Sequence, residues 1–199
     1  MITNKYRFVA DAVKGGGIQS LLDVGCRDAI LSTYIDPSIQ YTGVDLMPGP
    51  KVAKVCNIEE GLPFDDATFD AVAALDLLEH TDDIWHSFDE LVRVARKKVF
   101  VVLPNIFWWR HRIAHMFGRE TDKYRLTPDR IEDRHRWLTS YRTARQFAEG
   151  MARKRNLSVS EVLVAGGRRT VVIDAALSLV SKNLGSWAVM HVFEKGPQR

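Results

Sequence analysis

Two short apolar runs of the sequence end in residues that can bind a nucleotide. Residues 21–24 stop at Gly25 and Cys26, and residues 41–44 stop at Asp45. A glycine at the end of the first run lets the backbone approach a ligand closely, and an acid at the end of the second accepts hydrogen bonds from ribose hydroxyls. The order of strand, glycine turn, helix, strand and acid predicts the first half of an α/β sheet that binds an adenosine-like cofactor.

The turn after the first run departs from the fingerprint of dinucleotide-binding proteins. That fingerprint is GxGxxG, whereas residues 25–29 read Gly-Cys-Arg-Asp-Ala, with no later glycine pair to cradle a pyrophosphate. Asp23 and Gly25 instead resemble motif I of the class I S-adenosylmethionine (SAM)-dependent methyltransferases, which is an acid, any residue and then GxGxG. Arg27 and Ala29 stand where that motif has its second and third glycines.

The resemblance to class I methyltransferases continues downstream of the turn. Asp45 stands where the family has its ribose-binding acid, and Asn57 and Ile58 stand where an Asp or Asn and an apolar residue flank the adenine. Residues 61–80 (GLPFDDATFDAVAALDLLEH) resemble the LPF…FD.V…LEH signature of the subgroup that contains quinone-biosynthesis and MetW-type methyltransferases. The resemblance therefore extends over most of the first half of the chain.

This resemblance implies a fold, a cofactor and an activity. The fold is a Rossmann-like, seven-stranded methyltransferase sheet with helices on both faces, an antiparallel last strand and a helical insertion after strand 5. The activity is O- or N-methylation with SAM as cofactor. The implied cofactor-binding residues are Asp23, Gly25, Cys26, Arg27, Asp45, Leu46, Asn57, Ile58 and Asp76.

Arg27 leaves more than one interpretation open. Its guanidinium could hold the methionyl carboxylate of SAM in a bidentate pair, turn outward, or obstruct the site. If Arg27 and Ala29 have abolished SAM binding, the chain is a non-catalytic binding partner that keeps the methyltransferase fold. SAM affinity separates these interpretations.

The composition is that of one globular domain spanning residues 1–199. Hydrophobic residues make up 46% of the chain and charged residues 27%, as in soluble proteins. The two cysteines, Cys26 and Cys56, indicate neither a disulfide framework nor a zinc cluster, which favours a reducing, cytoplasmic setting. No apolar stretch reaches the roughly 18 residues of a transmembrane helix, and no secretory signal is visible.

Apolar periodicity and turn residues predict alternating strands and helices, which is typical of a parallel sheet with right-handed crossovers. The predicted strands are 20–24, 40–45, 52–56, 71–75, 99–103, 157–164 and 186–195, and the predicted helices are 4–14, 28–34, 83–96, 107–119, 140–155 and 172–182.

Charge divides the chain unevenly. Residues 1–105 carry a net charge of −6, and residues 106–155 carry +7. The basic, aromatic-rich segment 106–155 is predicted to cap the acceptor side of the site and to face an anionic molecule. We expect a small or lipid-linked anionic acceptor. RNA is a weaker alternative because no RNA-binding module is recognisable.

The aromatic residues of that segment allow two placements. Trp108 and Trp109 either pack on the sheet, or they lie at the headgroup level of a membrane, which would make the protein peripheral at the inner membrane face. Core packing is the commoner fate of aromatics at helical spacing, so we expect the first.

Two histidines are candidate general bases, His80 after the fourth strand and His135 in the basic segment. A histidine that packs at the start of the next helix is the structural alternative for His80. The candidate substrate-binding residues are Asn105, Arg110, Tyr124, His135 and Trp137. His111 and His115 have the i, i+4 spacing of zinc ligands, but arginines flank the first and no third ligand is evident, so no metal site is expected.

Overall fold

The computed structural model describes residues 2–124, 126–129 and 133–196. Within the predicted 106–155 cap, residues 125 and 130–132 and the side chain of Asp122 therefore lie outside the description. In those ranges eight strands form one sheet and six helices flank it. The strands are β1 Ile2–Thr3, β2 Ser20–Val24, β3 Gln40–Asp45, β4 Val52–Val55, β5 Phe69–Leu75, β6 Ala95–Pro104, β7 Leu157–Val164 and β8 Ala188–Lys195. The helices are α1 Lys5–Gly15, α2 Ile84–Val94, α3 Trp109–Met116, α4 Tyr141–Arg155, α5 Val171–Val180 and α6 Lys182–Gly185.

The strand order in the sheet is β1-β7-β8-β6-β5-β2-β3-β4. Strand β8 runs antiparallel to both of its neighbours, and the other pairs are parallel. The predicted strands correspond to β2–β8, and the antiparallel direction of the last strand agrees with the prediction. The predicted number of seven is wrong by one, because Ile2 and Thr3 pair with the edge of β7 and add an eighth strand.

Helices cover both faces of the sheet. On one face α1 buries Val9 and Val13 in an apolar cluster with the strands. On the other face α2 buries Phe88 and Leu91, and α4 buries Met151, in a second cluster. Helix α4 therefore belongs to the layer that supports the sheet, and we restrict the name "cap segment" to the described residues between 106 and 140.

Two predicted helices differ from the structure. The predicted helix 28–34 is a single 3₁₀ turn, Ile30–Thr33, because Ala29 before it is left-handed with φ 52°. The predicted helix 83–96 ends at Val94. Arg96 and Lys97 instead lie in β6, where both pair with the buried Asp70. Tertiary ion pairs thus override the local helical pattern at this end.

The sheet has its topological switch point between β2 and β5, because β2 continues to β3 on one side while β5 leads back to β6 on the other. Ligands of open α/β sheets bind beyond the carboxyl ends of the strands at such a point. Gly25 follows β2 there and Asp76 follows β5. Within the described ranges, every helix is too short or too polar to cross a membrane.

Candidate active site

The loop after β2 keeps a glycine-like backbone although two of its glycines are replaced. Gly25 has φ 74°, Arg27 φ 46° and Ala29 φ 52°. A left-handed conformation costs a non-glycine residue roughly 1–2 kcal/mol, so surrounding contacts must hold this loop in place. The amide of Arg27 donates to Oδ2 of Asp45 at 2.7 Å and supplies one such contact.

Asp45 fixes this loop and still has acceptor capacity. Its Oδ2 accepts from Arg27, and its Oδ1 accepts from the amide of Met47 at 3.0 Å. Each carboxylate oxygen has a second lone pair, which is where ribose hydroxyls would bind. Beside it, Leu46 is 63% exposed and presents an apolar surface on which an adenine ring could pack.

The other predicted adenine-side residues have structural roles in this chain. Oδ1 of Asn57 accepts from the amide of Glu59 at 3.1 Å and caps a short 3₁₀ turn, and Ile58 is buried in the core. Cys26 is also buried, and burial raises the pKa of its thiol to about 11. These residues shape the cofactor side of the cleft, and their contact with a cofactor stays a prediction.

Three charged residues, Asp23, Lys5 and Asp76, meet at the switch point. Asp23 is buried, and its carboxylate accepts from the hydroxyl of Tyr41 at 2.7 Å. Burial raises the pKa of Asp23 to about 7, although Tyr41 and nearby Lys5 both act to lower it. Lys5, near the start of α1, is 9% exposed and pairs with Asp76. A buried cation therefore stands between two acids beyond β2 and β5.

Sequence analysis missed Lys5, because nothing in the N-terminal helix distinguishes one lysine from another. The side chain that it favoured, Arg27, is 68% exposed and reaches Asp133 of the cap segment, at 3.3 Å between Nη2 and Oδ2. Arg27 thus connects the cofactor loop to the cap segment in this structure. Its contact with the cofactor stays a prediction.

A cluster of ligand atoms lies on the acceptor side, next to Asp76. Glu79, His80 and His135 each bring one oxygen or nitrogen within 4.8 Å of the others, and we call these three residues the His–Glu cluster. Glu79 is fully buried, and within the described part of the chain neither of its carboxylate oxygens has a hydrogen-bond partner. Burial, followed by the nearby Asp76, raises the pKa of Glu79 well above its ordinary value.

The hydrogen bonds of the two histidines fix which ring nitrogen carries the proton. Nδ1 of His80 lies 3.1 Å from the carbonyl of Arg134, which only accepts. Nδ1 of His135 lies 3.0 Å from the hydroxyl of Tyr124, whose own proton is donated to the carbonyl of Trp137. In the neutral rings both Nδ1 atoms are then the donors and both Nε2 atoms have a lone pair; Nε2 of His80 lies 3.4 Å from Oδ1 of Asp133, which a cation would have to displace or share. Metal-ligating histidines show the same arrangement, with the outer nitrogen held by a hydrogen bond.

The charge states of the cluster are consistent with metal binding. Burial lowers the pKa of His135 to about 4 and also lowers the pKa of His80, so both rings are neutral near pH 7. Neutral imidazole and carboxylate are donors for several divalent cations. A buried acid without partners costs free energy unless a proton or a cation occupies it. The three residues fit a divalent cation, which the sequence prediction of no metal site did not anticipate.

The predicted substrate-side residues separate into two groups. His135 is a member of the His–Glu cluster, and the hydroxyl of Tyr124 lies beside its Nδ1. Asn105 is fully buried, with its amide donating to the carbonyls of Asn183 and Ser186, and Trp137 donates its indole N–H to the carbonyl of Thr81. These bonds join the end of β6 to α6 and the cap segment to the loop after β5, so both side chains support the fold, and their contact with a substrate stays a prediction.

Helix α3 supplies none of the ligands. Trp108 is buried and Trp109 is half-buried, and both donate their indole N–H to Asp174 of α5 at 2.8 Å, so they pack against α5. Arg110 is exposed and lies over the Trp108 ring, at 5.6 Å from its centroid. The spaced histidine pair of this helix is not part of the His–Glu cluster.

Comparison with known proteins shows that this chain is similar to methyltransferases. A family model described as a methyltransferase domain matches residues 22–103. No curated protein sequence is similar enough to count as a match. The solved methyltransferase domain of bacterial CtHen1-C is 18% identical, with a TM-score of 0.67 and 97% of each chain covered.

Two further solved structures have the same fold. The small RNA methyltransferase HEN1 is 16% identical with a TM-score of 0.68, over 97% of this chain and 25% of that one. A SAM-dependent methyltransferase from Archaeoglobus fulgidus is 15% identical with a TM-score of 0.60, over 96% of this chain and 94% of that one. At such identities these structures establish the fold.

The matched domain and the shared fold support the predicted class of methyltransferase, for which the resemblance implies SAM as the cofactor. The narrower resemblance to quinone-biosynthesis and MetW-type methyltransferases stays a prediction.

Proposed function

We propose that this protein is a metal-dependent O-methyltransferase in which the His–Glu cluster holds a divalent cation beside the methyl group of SAM. The observation that carries the proposal is the fully buried Glu79, whose two oxygens have no partner among the described residues. The two Nε2 lone pairs of His80 and His135 supply the remaining protein ligands. Asp76, whose Oδ1 is also buried without a described partner, is near enough to raise the pKa of Glu79, but it is not among the residues whose ligand atoms lie within 4.8 Å of one another, so it would have to move to contribute a fourth.

A cation held there would lower the pKa of a bound hydroxyl and orient it for attack. Methyl transfer from a sulfonium is an in-line displacement, in which the protein mainly supplies position and electrostatics. The sequence proposed His80 and His135 as general bases. If both histidines are ligands, with their Nδ1 protons donated in other hydrogen bonds, they would instead hold the cation that positions the acceptor oxygen.

We further propose that Lys5 binds the methionyl carboxylate of SAM. With the ribose bound by Asp45 beyond β3, the methionyl end would extend towards β2 and β5, where Lys5 and Asp23 lie. A lysine that leaves Asp76 for this carboxylate would keep its charge paired. It would also free Asp76 for the cation. The exposed Arg27, which the sequence favoured for this role, is engaged with Asp133.

The acceptor that fits this site best is a sugar with two neighbouring hydroxyls. Three or four protein ligands leave at least two positions of an octahedral cation open, and adjacent hydroxyls can fill both. The net charge of +7 over residues 106–155 favours an anionic molecule. A small or lipid-linked anionic glycan meets both conditions, in agreement with the sequence prediction.

The terminal ribose of an RNA is the second candidate, because it also carries neighbouring hydroxyls on an anionic chain. The observation that favours it is the similarity in fold to HEN1, a small RNA methyltransferase. This candidate needs the same cation and differs only in what surrounds the sugar.

Methyl transfer from labelled SAM tests both candidates. The protein is stripped with a chelator and then supplied with Mg²⁺, Mn²⁺, Co²⁺ or Zn²⁺, using anionic glycans and short RNAs as acceptors. We expect transfer that needs a cation and needs both hydroxyls, so a 3′-deoxy RNA or a deoxy sugar serves as the matched control. Transfer that survives the chelator would contradict the metal role, and failure to bind SAM at millimolar concentration would leave the non-catalytic partner as the function.

A further inference from the structure

Helix α5 turns its apolar side outward. Val172, Leu179 and Val180 are 78%, 91% and 82% exposed, and Ile173 is 47% exposed. Together with the exposed Ala176 they recur at the spacing of one helix face. We call these five residues the apolar stripe. A surface helix normally buries such a face, and a continuous exposed patch of this kind marks an interaction surface.

The structure holds the helix in this orientation through its opposite side. Asp174 is fully buried and accepts from both indoles of Trp108 and Trp109 and from the hydroxyl of Thr170. The following helix α6 packs closely, since a Cβ at Gly185 would come within 2.4 Å of Ser178 and of the Asp174 carbonyl. Rotating the stripe inward would break the Asp174 hydrogen bonds, so its exposure is built into the fold.

The charges around the stripe are mainly positive, although Lys182 is paired with Glu161. Asp174 is the only acid of α5, and its side chain is buried and hydrogen-bonded in the interior. Arg168 and Arg169 precede the helix, are exposed, and form no ion pair with the described residues. Lys182 follows it and is half-exposed. An apolar helix face bordered by cations matches a surface that offers both hydrocarbon and negative headgroups.

We propose that the apolar stripe docks the protein on an anionic lipid membrane, with α5 lying in the plane of the interface. The stripe enters the headgroup and acyl boundary, and Arg168 and Arg169 contact the headgroups. A second copy of this chain fits less well. A ten-residue helix is about 15 Å long and about 10 Å wide, far less than the roughly 800 Å² per partner of a stable interface, and paired stripes would also bring like charges together.

This surface differs from the one that the sequence suggested for a membrane, since Trp108 and Trp109 are engaged with Asp174 inside. It agrees with a lipid-linked acceptor but does not depend on methyl transfer, and its test needs neither cofactor nor acceptor.

Co-sedimentation with vesicles tests the proposal on the full chain. We expect binding to vesicles of phosphatidylcholine with phosphatidylglycerol, and much weaker binding to phosphatidylcholine alone. The double variant Leu179→Glu/Val180→Glu should lose binding tenfold or more, and Arg168→Ala/Arg169→Ala should lose about fivefold at low salt. Val55→Glu, at a 53% exposed site on the strand at the other end of the sheet, is the matched control and should bind normally.

Both stripe positions are exposed, so these variants should fold, and circular dichroism with a thermal melt verifies this. No binding to anionic vesicles at low salt would overturn the proposal, as would equal loss in Val55→Glu. A dimer in light scattering that Leu179→Glu/Val180→Glu converts to monomer, without any vesicle binding, would assign the stripe to self-association instead.

Discussion

The two sides of the cleft are built in different ways. The cofactor side comes from consecutive strands and loops, Gly25 after β2 and Asp45 after β3, and it lies in the acidic region that matches the methyltransferase domain. The acceptor side joins residues that are distant in sequence, since Glu79 and His80 meet His135 of the basic cap segment. A local motif thus forms the predicted cofactor side, whereas tertiary packing of the cap segment completes the proposed cation site.

This difference predicts that substitutions will separate the two sides. Changes in the His–Glu cluster should lower the rate of transfer and leave SAM binding intact. Changes on the cofactor side should weaken SAM binding and leave cation binding intact.

The largest effect is expected from His135→Ala. Removing one ligand from the proposed cation site should lower the rate of methyl transfer about 100-fold or more, because loss of even an outer partner of a metal site costs roughly 10–100-fold. Initial rates with labelled SAM measure this, and calorimetry should give an unchanged affinity for S-adenosylhomocysteine. Trp85→Ala, at an exposed position beside the cap, is a control that should keep most of the activity. A parallel fall in cofactor affinity would mean that the two sides are not separate.

Asp45→Ala should weaken SAM binding about tenfold or more. It removes the ribose acceptor, worth on the order of 1.5–3 kcal/mol for a charged partner, together with the hydrogen bond that holds the loop at Arg27. Calorimetric titration with SAM gives the affinity, and cation binding should be unchanged. An unaltered SAM affinity would remove Asp45 from the cofactor site.

Lys5→Met should weaken S-adenosylhomocysteine binding about fivefold and leave 5′-methylthioadenosine binding unchanged, since the latter lacks the carboxylate that Lys5 would pair with. Lys5→Arg keeps the charge and should restore most of the affinity, which distinguishes a charge role from packing. Equal losses for both nucleosides would show that Lys5 only supports the fold.

The smallest effect is expected from Arg27→Gly, with SAM affinity changing less than about threefold. Glycine suits the left-handed backbone at φ 46°, and the lost contact with Asp133 is an exposed ion pair of little energy. A loss of tenfold or more in the same titration would instead place Arg27 at the methionyl carboxylate, as the sequence suggested.

The sequence predicted the sheet well because its buried strands are short, continuous apolar runs that end at Gly25, Asp45 and Asp76. It did not predict the cation site because Glu79 and His135 are 56 positions apart, and only the fold brings them together. Burial, which the sequence does not reveal, also bears on the role of individual polar residues. Asn105 looked like a substrate-binding residue but is enclosed and fully engaged in structural hydrogen bonds.

The most direct test of the account is a titration of the chelator-stripped protein with Mn²⁺, monitored by electron paramagnetic resonance with S-adenosylhomocysteine present. The cation site predicts one tight Mn²⁺ per chain, with affinity reduced at least about 100-fold in Glu79→Gln, which keeps the side-chain shape and removes the charge. Glu161→Gln, in a carboxylate paired with Lys182 away from the cluster, should bind normally. Absence of a tight site in the unmodified protein, or equal binding in Glu79→Gln, would contradict the account.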